Sequence, residues 1–233
     1  MGANQGVTVS SIAWADYDND GDLDIAVSGR DSSLNCHFII YRNNGDGTLT
    51  NIAEPMGANQ GVYLSSIAWA DYDNDGDLDI AVSGRDSSTN KRFIIYRNNG
   101  DGTFTNIAEP MGADQGVYLS SIAWGDYDND GDLDIAVSGQ DSSGNYRFII
   151  YQNNGDGTFT QVAEPMGANQ GVFCSSIAWA DYDNDGDLDI AVSGQDGSFL
   201  RRFIIYRNIG ADSFTNIAEP MGANQGVCYS SIA

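Results

Sequence analysis

Apolar residues along the chain come in short runs separated by polar turns. The stretch 56–110 shows the pattern. Leu64 to Tyr72 alternates, with Ile67 and Trp69 on one face, and predicts a strand. Leu78 to Ser83 predicts a second strand, Phe93 to Arg97 a third and Thr103 to Ala108 a fourth. The continuous FIIY run of the third reads as a strand buried on both faces. The intervening DNDGD, SGRDSSTN, NNGDGT and EPMGANQG are turn sequences. No segment carries a 3.6-residue period long enough for a helix.

The pattern repeats. DYDNDGDLDIAVSG begins at Asp16, Asp71, Asp126 and Asp181, and MGA begins at Met1, Met56, Met111, Met166 and Met221. Both recur at one constant spacing, without insertion or deletion. The units are about 1–55, 56–110, 111–165 and 166–220, and residues 221–233 restart a fifth. Starting and stopping in mid-pattern is expected of a piece of a longer array. Four short antiparallel strands per unit, repeated, read as β-propeller blades. Each blade is apolar on both faces and needs a neighbour on each side to bury them. The expectation is an all-β protein, residues 1–233 forming one β-propeller domain or a segment of one. Four blades could close a small ring, or two chains could complete an eight-bladed one.

Charge narrows the function. Against 33 acidic side chains stand 10 basic ones, for a formal net charge of -23. So acidic a chain repels phosphate backbones, which argues against nucleic acid as a partner. No apolar run approaches the roughly 18 residues of a membrane span, so no membrane insertion is expected. No basic-then-apolar signal peptide precedes Met1. Three Cys in 233 residues do not make a disulfide scaffold.

Twenty of the acids are clustered. Asp16, Asp18, Asp20, Asp22 and Asp24 fall within nine residues around Gly21. The set returns as Asp71, Asp73, Asp75, Asp77 and Asp79, as Asp126, Asp128, Asp130, Asp132 and Asp134, and as Asp181, Asp183, Asp185, Asp187 and Asp189. Five like charges so close are costly unless a cation sits among them, and hard oxygens at alternate positions with a turn glycine suit Ca²⁺. The first, third, fifth and ninth positions are expected to give side-chain oxygens and the seventh its backbone carbonyl. One Ca²⁺ per blade, four per chain, would bring the formal charge from -23 to -15. An EF-hand is excluded, because no Glu stands at loop position twelve and no helices flank the loop. A nonapeptide calcium β-helix is excluded by the period.

The D-x-D-x-D-G-x-x-D string between two strands, followed by FIIYRNNGDGTF, resembles the FG-GAP/VCBS repeats of integrin α-subunit propellers and their bacterial relatives. The likeness covers the whole chain. It implies a β-propeller with a structural calcium in the loop between the first and second strands of each blade, held by the Asp residues just named. Two departures stand out. Rings of this family usually have about seven blades. In the last unit Ile209-Gly210-Ala211-Asp212-Ser213 replaces NGDGT, so an irregular turn is expected there.

The units differ from one another in two places. One pair precedes the first strand: Thr8-Val9, Tyr63-Leu64, Tyr118-Leu119, Phe173-Cys174 and Cys228-Tyr229. The other set lies between the second and third strands: Leu34 to His37, Thr89 to Arg92, Gly144 to Arg147 and Phe199 to Arg202. In an up-and-down sheet both belong to the end opposite the calcium loops. Tyr63, Leu64, Lys91, Arg92, Tyr118, Leu119, Tyr146, Arg147, Phe173, Phe199, Arg201, Arg202 and Tyr229 are residue types that anchor recognition surfaces. Free drift of loops would also produce variation there. His37, the single His, reads as a loop residue, and no Ser-His-Asp or Cys-His-Asp set is framed by a motif. Cys36, Cys174 and Cys228 at variable positions are not a zinc set; a contact between Cys174 and Cys228 across neighbouring blades is the alternative to unpaired thiols. The Trp at 14, 69, 124 and 179 read as blade-to-blade packing, Asp31, Asp86, Asp141 and Asp196 as loop-shaping residues, and Glu54, Glu109, Glu164 and Glu219 as structural.

The functional expectation is a non-enzymatic binding or adhesion module, stabilised by calcium and recognising a protein or glycan. A structural array without a ligand is the alternative. Millimolar extracellular calcium would fill such sites, so secretion or the cell surface is expected.

Overall fold

The computed structural model describes residues 6–58, 60–113, 115–222, 225–228 and 231–232. Among them sixteen strands form four antiparallel sheets, and there is no helix. The first sheet holds β1 (Thr8–Ala15), β2 (Asp24–Arg30), β3 (Cys36–Asn43) and β4 (Leu49–Ala53). The second holds β5 (Tyr63–Ala70), β6 (Asp79–Arg85), β7 (Lys91–Asn98) and β8 (Phe104–Ala108). The third holds β9 (Tyr118–Gly125), β10 (Asp134–Gln140), β11 (Tyr146–Asn153) and β12 (Phe159–Ala163). The fourth holds β13 (Phe173–Ala180), β14 (Asp189–Gln195), β15 (Arg201–Asn208) and β16 (Phe214–Ala218). Each is an up-and-down meander in chain order. The third strand of each sheet starts earlier than its apolar run, because Lys91 and Arg92 already pair with Arg85 and Gly84.

The chain forms two compact units, Met1–Tyr118 and Leu119–Ala233. In the first, Phe38 and Ile40 of the first sheet and Ile80, Val82, Ile94 and Tyr96 of the second belong to one apolar core. In the second unit, Phe148 and Ile150 meet Ile190, Val192, Ile204 and Tyr206. The two central strands of a sheet are apolar on both faces, so their burial requires a second sheet against them. Trp69 of the second sheet stacks on Tyr17 of the first with ring centroids 6.4 Å apart, and donates its indole N–H to the Ala13 carbonyl at 3.3 Å. Trp179 repeats this on Tyr127 and Ala123, at 6.3 Å and 3.2 Å. These two tryptophans pack sheet on sheet.

The connection into each next sheet is tied to the sheet it leaves. Gly61 donates its N–H to the Cys36 carbonyl at 2.9 Å, and Gly171 does so to Tyr146 at 2.9 Å. The approach is so close that a Cβ on Gly171 would stand 2.0 Å from the backbone carbon of Arg147. Only glycine allows it.

The last hairpin is altered, as its sequence foretells. Ile209 N–H still donates to the Ser213 carbonyl, as Asn44 does to Thr48. However, Ala211 and Asp212 both take left-handed backbone, with φ of 51° and 57°. The Asp46–Thr48 side-chain bond of the regular turn gives way to a Tyr127 hydroxyl donating to Asp212 at 2.5 Å.

Candidate functional site

The loop between the first two strands of each sheet folds around its own carboxylates. Asp16 accepts from the backbone N–H of Asp20 and of Gly21, both at 3.0 Å, and Gly21 takes φ of 93°, a conformation suited to glycine. Asp24, at the start of β2, is fully buried. Its two oxygens accept from Tyr17 N–H at 3.2 Å and from Asn43 N–H at 2.7 Å. The second bond fastens the loop to the start of the next hairpin. The turns of β1–β2 and β3–β4 therefore share one end of the sheet.

This folding brings Asp16, Asp18 and Asp24 together, with one carboxylate oxygen from each within 4.8 Å of the others. The same holds for Asp71, Asp73 and Asp79, for Asp126, Asp128 and Asp134, and for Asp181, Asp183 and Asp189. Calcium–oxygen bonds run about 2.3–2.6 Å, so oxygens this far apart can share one ion. The all-oxygen donor set suits a hard cation. Asp20 stands outside the trio and accepts from Asp22 N–H at 2.9 Å; Asp75, Asp130 and Asp185 do the same with Asp77, Asp132 and Asp187. The seventh residue turns its side chain elsewhere. Asp77 accepts from Asn19 of the preceding sheet at 3.3 Å, and Asp187 from Asn129 at 2.9 Å.

The electrostatics of the trio are unfavourable without a counter-charge. Burial pushes the carboxyls of Asp79 and Asp134 up to about 7, against the backbone hydrogen bonds that pull them down. Asp18, Asp73 and Asp128 are raised by burial and by neighbouring carboxylates. A third-strand cation offsets part of this: Arg207 lies 3.6 Å from Asp183. In the third sheet the neutral Gln152 replaces it and donates to Asp128 at 2.6 Å.

The opposite end of each sheet gathers both variable sets. In the second sheet Tyr63 faces Arg85, which in turn faces Lys91 across the strands. The pair entering one sheet also packs on the sheet before it. The Arg30 guanidinium lies 4.5 Å from the Tyr63 ring, Lys91 lies 5.5 Å from Tyr118, and Tyr146 stacks on Phe173 at 4.8 Å. Leu64, Leu119 and Cys174 occupy a bulge with φ of 51–52°, and Phe199 has φ of 62° and is exposed. Arg201 is exposed as well. Tyr229 lies outside the described residues.

Arg92, Arg147 and Arg202 at this end turn to acidic side chains of their own sheets. Arg147 pairs with Glu164 at 2.8 Å and Asp141 at 3.4 Å, Arg202 with Glu219 at 3.2 Å and Asp196 at 3.7 Å, and Arg92 with Glu109 at 3.7 Å. His37 takes the same place in the first sheet, 3.0 Å from Asp31. Asp31 also accepts from Ser33 and Asn35 N–H, and these bonds, His37 foremost, hold its carboxyl down at about 2. In the third and fourth sheets the loop-shaping Asp and the strand-end Glu thus clamp one arginine between them. Beside the Arg92 clamp lies a polar cavity of about 500 Å³, lined by Gln60, Asp86, Ser88, Tyr96, Phe104 and Asn106 among others. Cys36, Cys174 and Cys228 form no disulfide.

Sequence reasoning passed over Asn98 and Asn208. Asn98 donates to the Tyr17 carbonyl of the preceding sheet at 2.9 Å, and Asn208 to that of Tyr127 at 2.8 Å. Their invariance among the four units was the available signal.

Fold and site define a class: an all-β repeat protein whose every four-stranded unit carries one cluster of three carboxylates. The FG-GAP-like repeat family matches residues 16–82, 84–137 and 138–192, and the chain belongs to that family. It is 30% identical over 183 residues to cartilage acidic protein 1 of Xenopus tropicalis, which covers 76% of this chain and 27% of that protein. Identity to cartilage acidic protein 1 of Mus musculus is 27% over 187 residues, with the same shares. For the Homo sapiens protein it is 27% over 164 residues, 66% of this chain and 24% of that protein. The chain thus spans about a quarter of the length of these relatives.

Proposed function

We propose that the chain is a calcium-stabilised, non-enzymatic segment of a β-propeller that works outside the cell and recognises a protein or glycan through its variable end. The carboxylate trio, built the same way four times, carries the calcium reading. Asp16, Asp18 and Asp24 and their counterparts would hold the ion. Bound calcium supplies the positive charge that three clustered carboxylates lack. The chain's own part is to hold those oxygens in place through the amides of Asp20, Gly21, Tyr17 and Asn43. Membership of the FG-GAP-like family and the cartilage name of the relatives support a propeller working extracellularly.

Recognition at the other end is supported by the meeting of both variable sets there, and by the polar cavity with Tyr96 and Phe104 in its wall. The ion pairs of Arg147 and Arg202 favour the second reading, a scaffold without a ligand. Calorimetric titration of chelator-stripped protein tests the metal: four sites per chain are expected, and Asp79→Asn should remove one. No heat and no rise in melting temperature at millimolar calcium would overturn it. Replacing Tyr63-Leu64 and Lys91-Arg92 by Ser or Asn tests recognition on protein and glycan arrays. Lost binding with unchanged melting supports it, and arrays without any hit favour the scaffold.

A further inference from the structure

Within each compact unit the carboxylate loops of the two sheets are bonded to each other. In the first unit two links join them. The buried link is Asn98. Its backbone N–H donates to Asp79 Oδ1 at 2.8 Å, inside the second trio, and its side-chain amide donates to the Tyr17 carbonyl at 2.9 Å. Tyr17 stands between Asp16 and Asp18 in the chain, and its own N–H donates to Asp24 Oδ2 at 3.2 Å. One asparagine thus holds a carboxylate of one trio and the backbone that carries the other. The exposed link is Asn19, which donates to the Gly76 carbonyl at 3.1 Å and to Asp77 at 3.3 Å.

The second unit repeats both links. Asn208 N–H donates to Asp189 at 2.8 Å and its side chain to the Tyr127 carbonyl at 2.8 Å, while Tyr127 N–H donates to Asp134 at 3.1 Å. Asn129 donates to the Gly186 carbonyl at 3.3 Å and to Asp187 at 2.9 Å. The rings of Tyr17 and Tyr127 are buried, each packed on a tryptophan and a phenylalanine of the following sheet. The residue between two carboxylates of one loop is therefore anchored in the next sheet.

A loop that closes on an ion fixes the backbone between its carboxylates. Fixing Tyr17 sets its carbonyl where the Asn98 side chain meets it, and fixing Asn98 holds the amide that grips Asp79. Part of the conformational entropy that the second loop must lose is then already lost when the first is filled. Charge alone has the opposite sign. An ion in one cluster makes the surroundings of its neighbour less negative and weakens the second site. Salt screens that repulsion and leaves the hydrogen bonds in place.

We infer, on the calcium reading proposed above, that the two calcium sites of a unit fill cooperatively, and that Asn98 with Asn19, and Asn208 with Asn129, carry the coupling. These asparagines are positioning residues: they give no oxygen to a trio and act through the backbone and the carboxylates they hold. Coupling between binding sites is reciprocal, so each site of a pair strengthens the other by the same factor.

Amide exchange followed by NMR on the full chain, at physiological salt, reads each loop through the amides its carboxylates hold. Tyr72, Asp75 and Gly76 report the second trio, and Tyr17, Asp20 and Gly21 the first. Calcium titrated into chelator-stripped wild type should protect both sets together. Asp24→Asn, which weakens the first site, should raise the calcium midpoint of the second set at least about fivefold. Asp79→Asn should do the same to the first set. In a chain carrying Asn19→Gly and Asn98→Ala, adding Asp24→Asn should no longer move the second midpoint. Asn19→Gly alone should shrink the shift; Asn19 is exposed at φ of 58°, which glycine adopts freely, so this variant keeps the fold whatever Asn98→Ala does. Circular dichroism spectra matching wild type establish folding. An Asp24→Asn midpoint equal to or below that of wild type overturns the coupling and leaves the calcium reading standing. So does a shift that Asn19→Gly leaves whole. Wild-type amides that gain no protection at millimolar calcium overturn both.

Discussion

Trp14 and Trp69 are the same residue of the same repeat, and they differ in what stands before them. Trp69 packs on Tyr17 and Phe104 and bonds the Ala13 carbonyl; Trp14 is 61% exposed. Truncating a packed tryptophan to alanine costs about 3–5 kcal/mol. Trp69 is half-buried, so the lower end applies, about 3 kcal/mol, with about 1 kcal/mol for the lost hydrogen bond. Trp14→Ala should stay within about 0.5 kcal/mol, as exposed positions do. In a domain of this size each kcal/mol moves the melting temperature by roughly 4–8 °C. Trp69→Ala should therefore lower the transition of the Met1–Tyr118 unit by at least about 10 °C. Scanning calorimetry reads both variants against the unmodified chain. Equal losses at the two positions would refute the packing argument. So would a silent Trp69→Ala.

Three further outcomes follow from backbone and charge. Asp79 and Asp134 sit at about 7, against an ordinary 3.8 in the unfolded chain. Between those values the folded chain holds protons that the unfolded chain has released, so metal-free stability is greatest below that window and falls as pH rises through it. Asp31, held at about 2, changes charge below the window. Urea midpoints in chelator from pH 4.5 to 7.5 should decline, and a steady rise would contradict the burial argument. Gly171→Ala sets a Cβ 2.0 Å from backbone and should cost more than about 3 kcal/mol, seen as loss of the Leu119–Ala233 transition or of soluble protein. Thr89 is exposed at φ of 74°, where the third unit has Gly144 at 83°. Thr89→Gly should raise the stability by roughly 0.5–1 kcal/mol or leave it level, and a loss would show that Thr89 has a role beyond its backbone.

The strands and the carboxylate loops were legible because they depend on local chemistry. Alternation and the FIIY run mark the strands whatever they pack against, and four copies in register separate a pattern from chance. The place of Asp24 shows where local reasoning stops. An aspartate at every second place makes the members of each set look alike, yet Asp24 is fully buried and fixed by Asn43, nineteen residues on, while Asp18 and Asp20 are exposed in the loop. The trio is thus a product of the sheet pairing. The arginines of the variable end teach the same lesson with opposite effect. Arg147 reads as an exposed anchor until the fold places Glu164 and Asp141 on either side of it. A charged residue type marks a surface only when no opposite charge lies within reach. Reach across strands is set by register, which fixes β10 against β11 one pair at a time. What the repeat hides most completely is inequality among its copies. Trp14 and Tyr182 share their letters with buried counterparts, and only the sheets at either side decide whether those letters spell core or surface.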